Sequence, residues 1–201
     1  NFGVCHHSQP KAVYISQVSE LGTVYTVEEV KAIADLLHAH DMYLHMDGAR
    51  LANACACLNC SMKEVTVDAG VDILSFGGTK NGMMMGEAVI SFRPELTEIL
   101  PFVRKQSAQL ASKLRYMSAQ FIPYLENDLW LENARHANAC AKRLADQLFF
   151  IIPDEPLKKL QEKYFFYMWN EEKNEARFVT SWDTTEEDIL DMEKSLREVL
   201  K

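Results

Sequence analysis

Residues 71–82, VDILSFGGTKNG, constrain this chain more than any other stretch. A short apolar run ends in two adjacent glycines, a threonine and a lysine, Lys80. Met83, Met84, Met85 and Gly86 follow, and then a second strand-like run at 87–92. A strand that feeds a glycine-rich turn delivers its last side chains to the carboxyl edge of a sheet, which is where open α/β sheets bind ligands. A lysine there, partly desolvated, can lose its proton and act as an amine nucleophile that forms a Schiff base.

Three readings are open for Lys80. Most lysines are simply solvated. A phosphate-binding loop needs G-x-x-x-x-G-K-[ST] and a following helix. Here Asn81 stands where Ser or Thr is required, the first glycine is missing and a strand follows. The third reading is a lysine that holds pyridoxal phosphate, a cofactor that also needs an acidic partner for its pyridine nitrogen. The run 42–50, MYLHMDGAR, supplies one: a short apolar strand ending in Asp47, Gly48, Ala49 and Arg50. One helical crossover and the next strand fit between Asp47 and Lys80. Alone, Asp47 reads as a helix N-cap; with Lys80 it makes two chemically matched strand ends.

The elements HMDGAR (45–50) and SFGGTK (75–80) resemble the low-specificity threonine aldolase family of fold-type I pyridoxal phosphate enzymes, in the aldolase and β-eliminating lyase group. The resemblance runs from about Pro10 to the C-terminus. It implies an α/β fold: the C-terminal part of a fold-type I large domain, with a mostly parallel sheet and crossover helices, followed by a small α+β C-terminal domain. We place the large-domain part and its connecting helix at 1–125 and the small domain at 126–201. The chain opens on Asn1-Phe2-Gly3 without methionine. Under the resemblance, an N-terminal part carrying the phosphate cup and the ring-stacking residue is expected to be missing.

The resemblance also implies roles. Lys80 carries the cofactor as a Schiff base, and Thr79 occupies the serine or threonine position that many such enzymes keep before their lysine. Asp47 pairs with the pyridinium nitrogen, and Arg50 reaches the phenolate oxygen. His7, in the polar loop ahead of the first strand, takes part in the aldol proton transfer. Arg115, on a basic helical run, approaches the partner subunit's cofactor phosphate. Arg177, in RFVTSW, grips the substrate carboxylate, a task that suits a bidentate guanidinium. The expected reaction cleaves a β-hydroxy-α-amino acid to glycine and an aldehyde. A β-eliminating lyase and a non-catalytic α/β binding domain stand as alternatives. The expected assembly is a homodimer or homotetramer with active sites between subunits.

Elsewhere the residues speak for themselves. A net charge of −8 argues against nucleic-acid or anionic-membrane partners. No window reaches the length of a membrane span, and no secretory signal pattern is visible. Five cysteines, an odd number in an acidic chain, read as reduced thiols of a cytoplasmic protein. Cys57 and Cys60 have metal-site spacing but lack a second pair, so packed helix thiols are the better account and no metal is expected. Capping boxes mark helix starts at Thr26–Glu29 and at Thr184–Glu187. A long helix is expected over 102–124, another over 126–148, a strand over 149–153, and a hairpin from 164–169 and 176–182.

Overall fold

The computed structural model describes residues 3–145 and 151–200. The chain divides into two compact units, Asn1–Glu132 and Asn133–Lys201, each with its own apolar core.

The first unit is built on a sheet of four strands in sequential order: β1 (Ala12–Ser16), β2 (Tyr43–Gly48), β3 (Ile73–Gly77) and β4 (Glu87–Ser91). β1, β2 and β3 run parallel, and β4 returns antiparallel beside β3. The connections explain the difference. Helix α1 (Val27–His38) carries the chain from β1 to β2, and helices α2 (Leu51–Leu58) and α3 (Met62–Val65) carry it from β2 to β3. Residues 78–86 are too few for a crossover and reverse the chain instead.

Alternation along the strands sorts the two faces of the sheet. Ile15, Leu44, Met46, Leu74 and Phe76 are buried against Val30, Ala34 and Leu37 of α1, Leu51 and Cys55 of α2, and Val65 of α3. On the other face Tyr14 is 57% exposed and Val89 60%. Helix α1 starts where expected. Thr26 Oγ1 accepts the Glu29 N–H at 3.2 Å, and Glu29 Oε2 accepts the Thr26 N–H at 2.8 Å.

One buried charge ties the amino end of this sheet together. The Asp72 side chain is fully buried just ahead of β3. It accepts the Leu44 N–H at 2.7 Å, pairs with His38 Nε2 at 2.9 Å and binds Arg93 Nε. Burial alone would raise this carboxyl, but the Leu44 amide, His38 and Arg93 outweigh it and hold it below the usual aspartate range. His38, the last residue of α1, thus finds its partner across β2, α2 and α3 in sequence.

Beyond β4 the expected long helix is broken into pieces. After α4 (Pro94–Thr97) come α5 (Leu100–Gln106), α6 (Arg115–Ser118) and α7 (Phe121–Leu125), and Ala108 sits in the left-handed region with φ 56°. Neither α5 nor α6 buries a residue, so no packing holds the pieces in register. Tyr124 of α7 is buried against the sheet core. Helix α8 (Leu129–Ala145) contains the boundary between the units.

The second unit continues with α9 (Asp154–Lys163), β5 (Tyr167–Asn170), β6 (Glu175–Arg177) and α10 (Glu186–Val199). β5 and β6 form the expected antiparallel hairpin, around which Ile152, Leu157, Leu160, Ala176 and Leu196 are buried. The second strand stops at Arg177 rather than running to Trp182. Past it the Thr180 hydroxyl donates to the Ala137 carbonyl at 2.9 Å. Of the strand expected over 149–153, residues 149 and 150 lie outside the described residues, and Ile151 makes a single bridge to Glu175. The last helix is capped one residue later than expected. Thr185, not Thr184, forms the box, closed by Asp188, while Thr184 Oγ1 accepts the Ser181 N–H at 2.9 Å.

Candidate active site

The carboxyl end of β2 and the turn after β3 meet at one edge of the sheet. Asp47 and Ser75 are register partners, as are Ser16 and Asp47, so the three strand ends finish level. The backbone extends the ladder past β1, where the Gln17 N–H donates to the Asp47 carbonyl at 2.8 Å. Lys80 sits in a single 3-10 turn, Thr79–Asn81, that caps β3. Gly82 ends this turn at φ 109°, a conformation an L side chain rarely adopts.

The two candidate strand ends face each other. Lys80 is near enough for its charge to favour the ionised form of the Asp47 carboxylate, with a smaller effect than the Tyr14 hydroxyl or the Ala49 amide. Asp47 Oδ1 accepts the Ala49 N–H at 2.8 Å, and Oδ2 accepts the Tyr14 hydroxyl of β1. Burial would raise the Asp47 carboxyl. The Tyr14 hydroxyl, the Ala49 amide, Lys80 and His45 together overcome that and hold it below the ordinary aspartate range. Asp47 is therefore a fixed anion at neutral pH. A carboxylate has about four lone-pair sites. Tyr14 and Ala49 use one on each oxygen, which leaves capacity for a further donor.

His45 lies on the same face, two residues before Asp47 in β2. Its Nε2 is hydrogen-bonded to Ser75 Oγ at 2.9 Å, and the Tyr14 ring meets its imidazole edge-on with centroids 5.1 Å apart. Burial pushes the imidazole down, against a smaller opposing pull from the Asp47 charge.

Glycine brings the two turns close. A Cβ on Gly77 would lie 2.7 Å from Ala49 Cα and 2.7 Å from Glu87 Oε2, so the last residue of β3 packs directly on the Asp47–Ala49 backbone. Asn81, next to Lys80, is buried and anchors the turn from below. Its side-chain amide donates to Tyr124 Oη and to the Trp130 carbonyl, each at 2.8 Å.

The other expected residues are placed as follows. Thr79 Oγ1 accepts the Gly86 N–H at 3.0 Å, which closes the lysine turn on itself. Arg50 is half-buried at the N-cap of α2, three residues past Asp47. Lys80 is exposed rather than partly desolvated, because the sheet face beside it is open. His7 lies in the exposed turn before β1 and Arg115 on the exposed start of α6, both outside the group acting on Asp47. Arg177 belongs to the second unit, where its guanidinium lies 5.4 Å from the Trp169 ring centroid. Tyr14, Ser75 and Asn81 were not foreseen. The only available signal for Tyr14 was a polar-tipped residue at alternate spacing in an apolar strand.

The thiols are separate from this edge. Cys55 is buried and its thiol is pushed up to about 12, chiefly by burial. Among the described residues no cluster of three or more His, Cys, Asp or Glu is arranged to hold a metal ion, and no helix is long and apolar enough to cross a membrane.

Comparison with known proteins adds to this geometry. The family model described as "Beta-eliminating lyase" matches residues 1–168. The low specificity L-threonine aldolase of Pseudomonas aeruginosa is 39% identical over 213 residues, covering 97% of this chain and 61% of the relative. The enzyme of the same name from a Pseudomonas sp. is 39% identical over 212 residues, with the same coverage. The chain thus spans about 61% of the length of these relatives. Among solved structures, Leishmania major threonine aldolase superposes with a TM-score of 0.86 at 26% identity, covering 98% of this chain and 64% of that one. A Thermus thermophilus aspartate aminotransferase variant superposes at 0.62 with 19% identity over 94% of this chain and 56% of that one, a likeness of fold alone.

Proposed function

Since the chain belongs to the β-eliminating lyase family, we propose that it is the C-terminal part of a pyridoxal phosphate-dependent carbon–carbon lyase. Its substrate is a β-hydroxy-α-amino acid of the threonine, allo-threonine or phenylserine type, and its products are glycine and an aldehyde. The observation that carries this reading is a carboxylate, Asp47, held by two donors at the end of β2, with Lys80 in the turn that caps the adjacent strand β3. The edge fits the cofactor chemically. Asp47 is charged, fixed by two donors, and still has lone pairs for a pyridinium N–H.

When bound, pyridoxal phosphate supplies the electron sink for the pair left by the broken Cα–Cβ bond. The residues of this chain do the rest. Lys80 Nζ is the amine that holds the cofactor covalently. Asp47 keeps a proton on the ring nitrogen, Arg50 serves the phenolate oxygen, and Thr79 shapes the lysine turn. Arg177 holds the substrate carboxylate and orients the amino acid, and His7 takes the β-hydroxyl proton. Arg115 serves the cofactor phosphate in a neighbouring subunit. The proposed assembly is a homodimer or homotetramer, a reading supported by the apolar surface that α5–α7 leave open at Phe102, Val103, Tyr116 and Ile122. A cytoplasmic location is proposed from the free cysteines, of which Cys5 and Cys57 are exposed.

Mixing the protein with pyridoxal phosphate should give a visible absorption band. Borohydride should then fix the cofactor onto the Lys80 peptide, and Lys80→Ala should lose both band and turnover. A band that survives unchanged in Lys80→Ala removes Lys80 from its role. The family description itself favours a second reading, β-elimination on the same scaffold. Product analysis separates the two: glycine and an aldehyde for the aldolase, ammonia and a keto acid for the eliminase.

A further inference from the structure

β1 carries none of the residues assigned above to the chemistry, yet it touches the centre of the site. Tyr14 and Ser16 project from the same face as His45 and Asp47, by the parallel register of β1 on β2. The Tyr14 hydroxyl donates to Asp47 Oδ2. Its ring sits edge-on to His45. The carboxylate is thus held from two directions, by a backbone amide on one oxygen and a phenol on the other.

We propose that Tyr14 is a positioning residue for Asp47: its hydroxyl fixes the rotamer of the carboxylate and shares its negative charge, setting how strongly Asp47 acts on whatever donor it meets at the sheet edge. The inference rests on the reading of Asp47 as partner of a pyridinium nitrogen, and it adds a residue that acts only through Asp47.

The chemistry gives the direction of the effect. A hydroxyl that donates to a carboxylate favours the charged form and lowers its basicity. The titratable groups facing Asp47 are Tyr14 from β1, His45 on its own strand and Lys80 from the turn after β3. Removing the Tyr14 hydroxyl leaves desolvation less opposed, so Asp47 becomes more basic. The Tyr14 hydroxyl is itself held above its ordinary value, first because ionising it would lose the bond it donates to Asp47.

Titration of the Asp47 carboxyl by carbon-13 NMR in the cofactor-free chain tests this. Asp47→Asn assigns the resonance. In Tyr14→Phe, which keeps the ring against His45, the midpoint should move up. Tyr14→Leu, which loses the ring as well, should move it up by a similar amount, since the hydroxyl and not the ring is responsible. A midpoint unchanged in folded Tyr14→Phe overturns the proposal, and so does a shift confined to Tyr14→Leu. Borohydride labelling of Lys80 in the unsubstituted protein is read separately. Its failure retires the cofactor reading, whereas an unmoved Asp47 midpoint retires the role of Tyr14 even when Lys80 labels normally.

Discussion

Asp47 and Asp72 border neighbouring parallel strands, at opposite ends of the sheet, and their surroundings give them different work. Asp47 is half-buried and keeps spare lone pairs. Asp72 is sealed, and Leu44, His38 and Arg93 occupy it on all sides. It reads as a structural rivet. Asp72→Asn should cost about 2–3 kcal/mol, because Arg93 and the Leu44 amide lose a charged partner; urea unfolding followed by circular dichroism measures it. The pH dependence follows from the sign. Asp72 lies below the ordinary aspartate value of 3.8 in the folded chain. Its stabilisation is complete above that value and is lost as pH falls through the lower, folded one. The stability gap between the parent and Asp72→Asn should therefore close on acidification. Little of this was legible in the sequence. The placement of Asp47 and Lys80 at the ends of β2 and β3 showed in their local motifs, but the partners of Asp72 come from α1, β2 and the segment after β4, and no local pattern joins them.

At the scale of elements, the approach of the lysine turn to the Asp47 turn depends on Gly77, the last residue of β3. Gly77 packs on Ala49, whose N–H holds Asp47 Oδ1. Gly77→Ala forces the two backbones apart, at a cost of about 1–3 kcal/mol. It should also weaken pyridoxal phosphate binding more than an equally destabilising change in the second unit, such as Leu160→Ala. Thermal melts and cofactor titration of both variants provide the comparison. The crossover helices were readable because periodicity and a capping box agreed at Thr26. The break between α5 and α6 was not. Residues 107–112, SAQLAS, contain no glycine or proline, and what decides their conformation is the absence of any buried residue in the flanking helices. At Thr184 and Thr185 two equivalent caps compete, and the choice falls to the residue whose third neighbour, Asp188, closes the box.

The molecule as a whole is two cored units, and the α/β class with a mostly parallel sheet is the one that the resemblance of the Asp47 and Lys80 motifs implied. The apolar surface of α5–α7 belongs to this scale. Under the proposed assembly, light scattering should give a mass above one chain, and Phe102→Asp should reduce it; a monodisperse single-chain mass in the parent protein removes the oligomer.

The reversal at 78–86 has a consequence for the order of assembly. β3 and β4 are neighbours both in sequence and in the sheet, so the arm bearing Lys80 closes through local pairings alone. Asp47 reaches its place only after two long-range parallel pairings, which carry a larger loop-closure cost and form more slowly. On loop-closure cost, the Lys80 hairpin is expected to form before β2 docks beside it, and pulse-labelled hydrogen exchange should show the β3–β4 amides protected earlier than those of β2.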